Sequence, residues 1–118
     1  MRGEILQAIS LLENRKLQLL PDDLWQSAVN SGHLALFPSE EKEDLRQGYF
    51  NIDKVNYMAI KSADLNVQFL KETNEENRKA VGLAWKAVSD EGIRMADSTL
   101  TYLRSVAKKE WFTELSPS

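Results

Sequence analysis

Four carboxylates within five positions, Glu40, Glu41, Glu43 and Asp44, are the densest group in the chain able to do chemistry. Carboxylates spaced i, i+3 or i+4 on one helix can hold Mg²⁺, and all-α nucleotide pyrophosphohydrolases work through such sets. An enzyme of that kind needs a second acidic set on a facing helix. Asp90-Glu91 is the best candidate in the chain, and no third matching pair exists. The competing reading is electrostatic: the four acids load the first turn of a helix, where the helix dipole favours negative charge. His33 is the single histidine and follows Gly32 at a helix end. One histidine supports neither a nucleophilic triad nor the paired Glu-x-x-His ligands of a di-iron bundle. No arginine precedes it at the spacing of small helical ribonuclease toxins. The chain has no cysteine, which excludes thiol catalysis, disulfides and cysteine-bound zinc. It also has no phosphate-binding glycine loop. The residues therefore assign no catalytic group and call for no cofactor.

The remaining candidates are packing or interface residues. Trp25, Trp85 and Trp111 could line a ligand pocket or an interface. Trp85 and Trp111 fall at core-type phases of a helix, and Trp111, followed by Phe112, lies near the chain end where an interface is easiest to build. Asn56 and Asn66 fall on an apolar helix stripe with Tyr49, where a buried amide can fix register or oligomeric state. A small change of helix phase would instead leave both asparagines half solvated at its edge.

Long helices must position these residues. A first helix is expected over about 4–19, from Ile5, Ala8, Ile9, Leu12 and Leu19 at a period near 3.6. Pro21 either kinks it, giving one bent arm and a three-helix bundle, or breaks it; the break is favoured because Pro21-Asp22-Asp23 reads as the start of a second helix over about 21–31, closed by Gly32. Leu34, Leu36 and Phe37 are expected to close one end of the core, and Ser39 to cap the next helix. That helix should run over about 40–72. Its stripe Leu45, Tyr49, Ile52, Asn56, Ala59, Ala63, Asn66, Leu70 alternates steps of four and three, the seam of a left-handed helix pair. Thr73 and Glu76 have capping-box spacing, which ends this helix and starts another over about 75–112. A connection that short forces the two long helices antiparallel. The last helix carries two stripes, one through Val81, Trp85, Val88, Gly92, Met95, Thr99, Tyr102 and Val106 and one through Ile93, Ala96, Leu100, Leu103, Ala107 and Trp111, and so expects two neighbours. The fold class is all-α: residues 1–118 form one helical bundle on a long antiparallel hairpin, with two shorter N-terminal helices.

Composition narrows the function classes. A chain that is 42% hydrophobic and 28% charged can bury a core unaided. The net charge of −3 argues against a partner bound through a basic face, such as nucleic acid. Nothing in the chain reaches the roughly 18 apolar residues of a membrane span, and Glu4, Gln7 and Glu13 interrupt any signal-peptide pattern. A cytoplasmic location fits the missing cysteines. Met1-Arg2-Gly3 leads straight into helical pattern, as in a fragment of a longer, membrane-anchored protein on the cytoplasmic face.

Glu4-Ile5 and Asn14, then Trp25 after a polar turn, Leu36-Phe37 before an acidic helix start, and Leu45, Tyr49, Ile52 and Asn56 together form one recognisable string. In these residues the first half of the chain resembles soluble helical-bundle domains of small, often membrane-anchored prokaryotic proteins of unknown function. The resemblance implies a bundle near a membrane or a partner and assigns no catalytic residue.

Three functional expectations follow. The first is a non-enzymatic protein-interaction or scaffold domain with a protein partner or a second copy. It rests on the absent catalytic constellations and on geometry: two short helices cannot cover a hairpin of roughly 50 Å, so the Thr73 end should expose apolar surface. The second is the Mg²⁺-dependent nucleotide pyrophosphohydrolase. The third is a binder of small apolar ligands near Trp25 and Trp85.

Overall fold

The computed structural model describes residues 1–115. It is 83% helical, with no strand among the described residues. Helix α1 spans Arg2–Glu13, α2 Asp23–Ser31, α3 Ser39–Lys71, α4 Glu75–Ala107 and α5 Glu110–Thr113, with a 3-10 turn at His33–Leu36. The two long helices, each of 33 residues, form an antiparallel hairpin in a molecule measuring 55 × 27 × 20 Å. The expected helical bundle is therefore present.

Several boundaries differ from the expectation for identifiable reasons. Helix α1 stops at Glu13, not near residue 19. Asn14 caps it, Arg15 takes a left-handed φ of 55°, and Gln18 Nε2 donates to the Leu11 carbonyl at 2.9 Å. Residues 16–22 form an irregular strap. Its apolar residues satisfy a helical period by coincidence of spacing, and the strap lies along the hairpin instead. Pro21 precedes the N-cap, Asp22, and α2 begins at Asp23. At the far turn Thr73 caps nothing. Asn74 is the N-cap of α4, its Oδ1 accepting from the Asn77 N–H at 3.1 Å. Glu72 Oε1 accepts from the Asn74 N–H, so the capping pattern is displaced by one residue. Pro38, not Ser39, holds the N-cap position of α3. Gly32 caps α2 as expected, with a left-handed φ of 77°. Helix α4 ends at Ala107 and not near 112. Lys109 is extended, and the short α5 turns Phe112 into the core. Leu34 and Phe37 pack on that core, whereas Leu36 is 82% exposed and closes nothing.

The core occupies only the base of the hairpin, the end where α3 starts and α4 finishes. Ile5, Ala8, Leu12, Leu45, Tyr49, Ile52, Val55, Leu103, Val106 and Phe112 are buried there. Arg2 donates to the Thr113 carbonyl and Glu13 pairs with Arg104, so α1 runs antiparallel to α4. The strap then returns along α3, with Leu17 against Gly92 and Met58, Leu20 on Asn56 and Trp25 on Tyr49.

This arrangement reassigns the stripe expected to join the two long helices. Tyr49 and Asn56, on the Leu45-to-Leu70 stripe, meet the strap and α2. Helix α4 is met by a neighbouring stripe: Gly48 at Tyr102 and Leu103, Met58 at Gly92, Ser62 at Ser89 and Phe69 at Gly82. A small residue at each of these contacts, on one helix or the other, lets the backbones approach closely, while the first stripe fills the wider space under a third layer. Hydrophobic period gives a stripe but not its neighbour.

Candidate interaction surface

The base of the bundle is fixed by two polar devices. Glu4 is 7% exposed, and its carboxylate accepts from the Tyr49 hydroxyl at 2.6 Å and from the Leu24 N–H at 2.9 Å. Glu4 thus supplies the first-turn acceptor for α2 that Asp22 does not. Tyr49 is stacked on Trp25, with ring centroids 4.7 Å apart and planes 6° off parallel. Burial, then the Glu4 hydrogen bond and charge, push the phenol well above the ordinary tyrosine range. The second device is Asn56. Its Oδ1 accepts from the Leu20 N–H at 2.6 Å and its Nδ2 donates to the Leu20 carbonyl at 3.0 Å. One amide therefore satisfies both backbone groups of a buried strap residue. Beside it, burial and then the neighbouring Asp22 carboxyl raise Asp53 above the ordinary aspartate value.

Above Ala59 the character changes. Across residues 60–91 no residue is buried. The strap ends here: Leu17 and Leu19 lie beside Ala59, Ile60, Ala63 and Asp64. Beyond that level the hairpin is two helices thick and held by its own zipper. Trp85 Nε1 donates to Ser62 Oγ at 3.2 Å, Ser62 and Ser89 share a hydrogen bond at 2.8 Å, and Phe69 lies 5.9 Å from Trp85 with Arg78 over its ring at 4.5 Å. Outside the zipper Ile60, Val67, Leu70 and Leu83 are exposed by 53%, 47%, 69% and 71%. Ile60, Ala63, Val67 and Leu70 follow steps of three, four and three. They line the flank that is covered in the lower half and bare in the upper half.

The sequence-derived sites fall as follows. Tyr49 and Trp25 meet in the core. Asn56 clamps the strap through the Leu20 backbone. Asn66 is half-buried on the bare stretch. Trp85 belongs to the zipper. Trp111 is half-buried and edge-on to Phe112, and its buried Nε1 has no hydrogen-bond partner among the described residues.

The carboxylates do not converge. Glu43 pairs with Arg46, Asp44 with Lys109 and Glu91 with Arg94. Asp44 lies at the level of Tyr102, whereas Ser89, next to Asp90, meets Ser62. Eighteen residues of α3 separate Asp44 from that level, roughly 27 Å of helix. No group of three potential ligands forms among the described residues. Glu40, Glu41, Glu43 and Asp44 therefore do not fit the Mg²⁺ site expected of them.

Trp25 and Trp85 likewise line no common pocket. Their contacts Tyr49 and Ser62 are thirteen residues apart on α3, roughly 20 Å. An open groove of about 390 Å³ lies elsewhere, lined by Phe50, Asp53, Lys54, Tyr57, Met58 and Met95. Its two exposed rings are already met by cations of the same helix, Lys54 over Phe50 at 4.4 Å and Lys61 near Tyr57 at 5.9 Å.

Sequence reasoning missed Glu4 and the zipper. Glu4 was legible in principle, because it sits four residues before Ala8 on the apolar flank of the first helix. The zipper was not, since Ser62 and Ser89 carry no periodic signal.

These features define the class of the molecule, an all-α bundle with a protruding two-helix arm. No family model, no curated protein and no solved structure matches the chain. No helix among the described residues is long and apolar enough to cross a membrane.

Proposed function

We propose that this chain is a non-enzymatic docking module, in which the base bundle anchors the fold and the outer half of the α3–α4 hairpin presents the binding surface. One observation carries the reading. The flank of α3 that buries Tyr49 and holds Asn56 to the strap continues past Ile60 and Ala63, beside the strap's Leu17 and Leu19, to Val67 and Leu70, which are exposed. A helix flank of this spacing is stabilised by a covering layer, and the chain supplies that layer only as far as Leu17.

The test is substitution on the bare flank. Val67→Glu with Leu70→Glu should leave the melting temperature within a few degrees, because neither side chain is buried. The same pair should abolish retention of a partner that the unsubstituted chain binds. A partner retained equally by both would place docking elsewhere on the molecule.

A further inference from the structure

Resting on that reading, we infer that the occupant of the hairpin arm is a second copy of this chain, packed antiparallel, arm against arm, about a two-fold axis near Gln68. If Ile60, Ala63, Val67 and Leu70 are seam positions, Asp64 and Lys71 each follow a seam residue and sit at the same flanking position, seven residues apart. Both are exposed, and neither has an ion-pair partner among the described residues. The other flank is neutral over this stretch, carrying Ala59, Asn66 and Thr73.

Orientation follows from charge. In an antiparallel pair of identical helices, each flank faces its own counterpart. Asp64 then meets Lys71 of the second copy, and Lys71 meets its Asp64, two opposite-charge contacts from one isologous pairing. In a parallel pair the charged flank faces the neutral one, and neither contact forms. The register follows from sterics. Leu17 and Leu19 beside Ala63 and Asp64 bar the partner from sliding further toward the base. The remaining stretch pairs Val67 with Leu70 of the second copy and the reverse. On α4 Leu83 lies at the level of this axis, because Gly82 and Phe69 stand at one level. The complete arm, residues 60–91, carries five basic and six acidic residues, so each arm has a net charge of only −1 and two arms meet with little repulsion.

Size sets the strength. About 14 residues of helix give roughly 20 Å of length, and two helices give roughly 20 Å of width, a flat footprint of about 400 Å² per copy. Side-chain relief enlarges this toward the low end of specific interfaces, about 1,200 Å² in total. The dimer is accordingly weak and concentration-dependent, with a dissociation constant in the micromolar range.

Sedimentation velocity of the full chain from about 5 to 500 μM tests this over the range in which such a constant is visible. The unsubstituted chain should shift from monomer to dimer. Asp64→Lys should weaken the dimer by about tenfold or more, as should Lys71→Asp. The double exchange Asp64→Lys with Lys71→Asp should return it to within about threefold. Both side chains are exposed, and circular dichroism checks that helicity is kept. A monomer at every concentration overturns the inference, and so does a dimer indifferent to the two charges or not restored by the exchange. If the chain stays monomeric while the Val67/Leu70 substitutions still strip a distinct partner, self-pairing fails and the docking reading stands. If neither occurs, both fall.

Discussion

Removing the Asn56 amide by Asn56→Ala should be among the most damaging single changes away from the largest core residues. Leu20 is 4% exposed, and its N–H and carbonyl both end on Asn56, at 2.6 and 3.0 Å. Deleting the side chain forfeits two hydrogen bonds, each worth about 1 kcal/mol net, and leaves buried backbone groups to be rehydrated or orphaned at about 1–3 kcal/mol. Water entering the vacated space would recover part of this, so the expected cost is about 2–4 kcal/mol. With a urea m-value of about 1.5 kcal/mol/M, typical for a small chain, the unfolding midpoint should fall by roughly 1.3–2.7 M. The loss should be local in its first effect. Strap amides near Leu20 should exchange faster, while amides of the outer hairpin around Phe69 and Gly82, beyond the end of the strap, should keep their protection. Asn56→Asp separates the two bonds. It keeps an acceptor for the Leu20 N–H but sets a carboxylate against the Leu20 carbonyl. Its carboxyl would be held above the ordinary aspartate range, so stability would be regained on acidification and lost as pH rises through that raised value. A midpoint change for Asn56→Ala below about 0.5 M, or unchanged exchange at Leu20, would refute the claim that this amide holds the strap.

Three further outcomes follow from the same base. Glu4→Ala removes the acceptor of both the Tyr49 hydroxyl and the Leu24 N–H, and should cost about 2–4 kcal/mol in denaturant unfolding, whereas Tyr49→Phe should cost less because the stacked ring remains. Asp53 is raised by burial and then by Asp22, so its protonated form favours the fold; that contribution is present at low pH and lost as pH rises through the raised value. Asp53→Asn should therefore raise the melting temperature slightly at pH 7, by less than about 3 °C for so exposed a group, with the gain vanishing toward pH 3 in a calorimetric series. A Cβ at Gly92 would stand 2.7 Å from a Leu17 methyl and 3.2 Å from Met58 Cβ, whereas one at Gly82 meets only the Phe69 ring at 3.1 Å. Gly92→Val should cost about 1–3 kcal/mol by overpacking the strap. Gly82→Ala should be neutral or gain up to about 1 kcal/mol of helix propensity as the half-buried ring tilts, a difference that thermal unfolding of the two variants resolves.

How far the structure was legible varies element by element. The long hairpin was written locally: acids at the start of α3, no proline within it, and an Asn/Thr/Glu cluster that stops one helix and starts the next. Such signals act over one or two helical turns, so a linear reading reaches them. The strap was misread as helix because Leu17, Leu19 and Leu20 fit a helical period. What unwinds it is Asn56, thirty-six residues away, which offers the Leu20 backbone an alternative to helical hydrogen bonds. The expected carboxylate and tryptophan sites failed for a related reason: spacing along one helix says nothing about the level at which the facing helix places its residues.

By itself the sequence determined the helical class, the hairpin and its sharp turn, because these depend on residue type and near-neighbour geometry. Tertiary structure alone decided which stripe meets which neighbour, that Glu4 and Asn56 hold the α2 entry and the strap, and that cover ends near Ala63. Those outcomes depend on how volumes and unsatisfied backbone groups from distant segments compete for the same space, and that competition is settled only when the whole chain is packed.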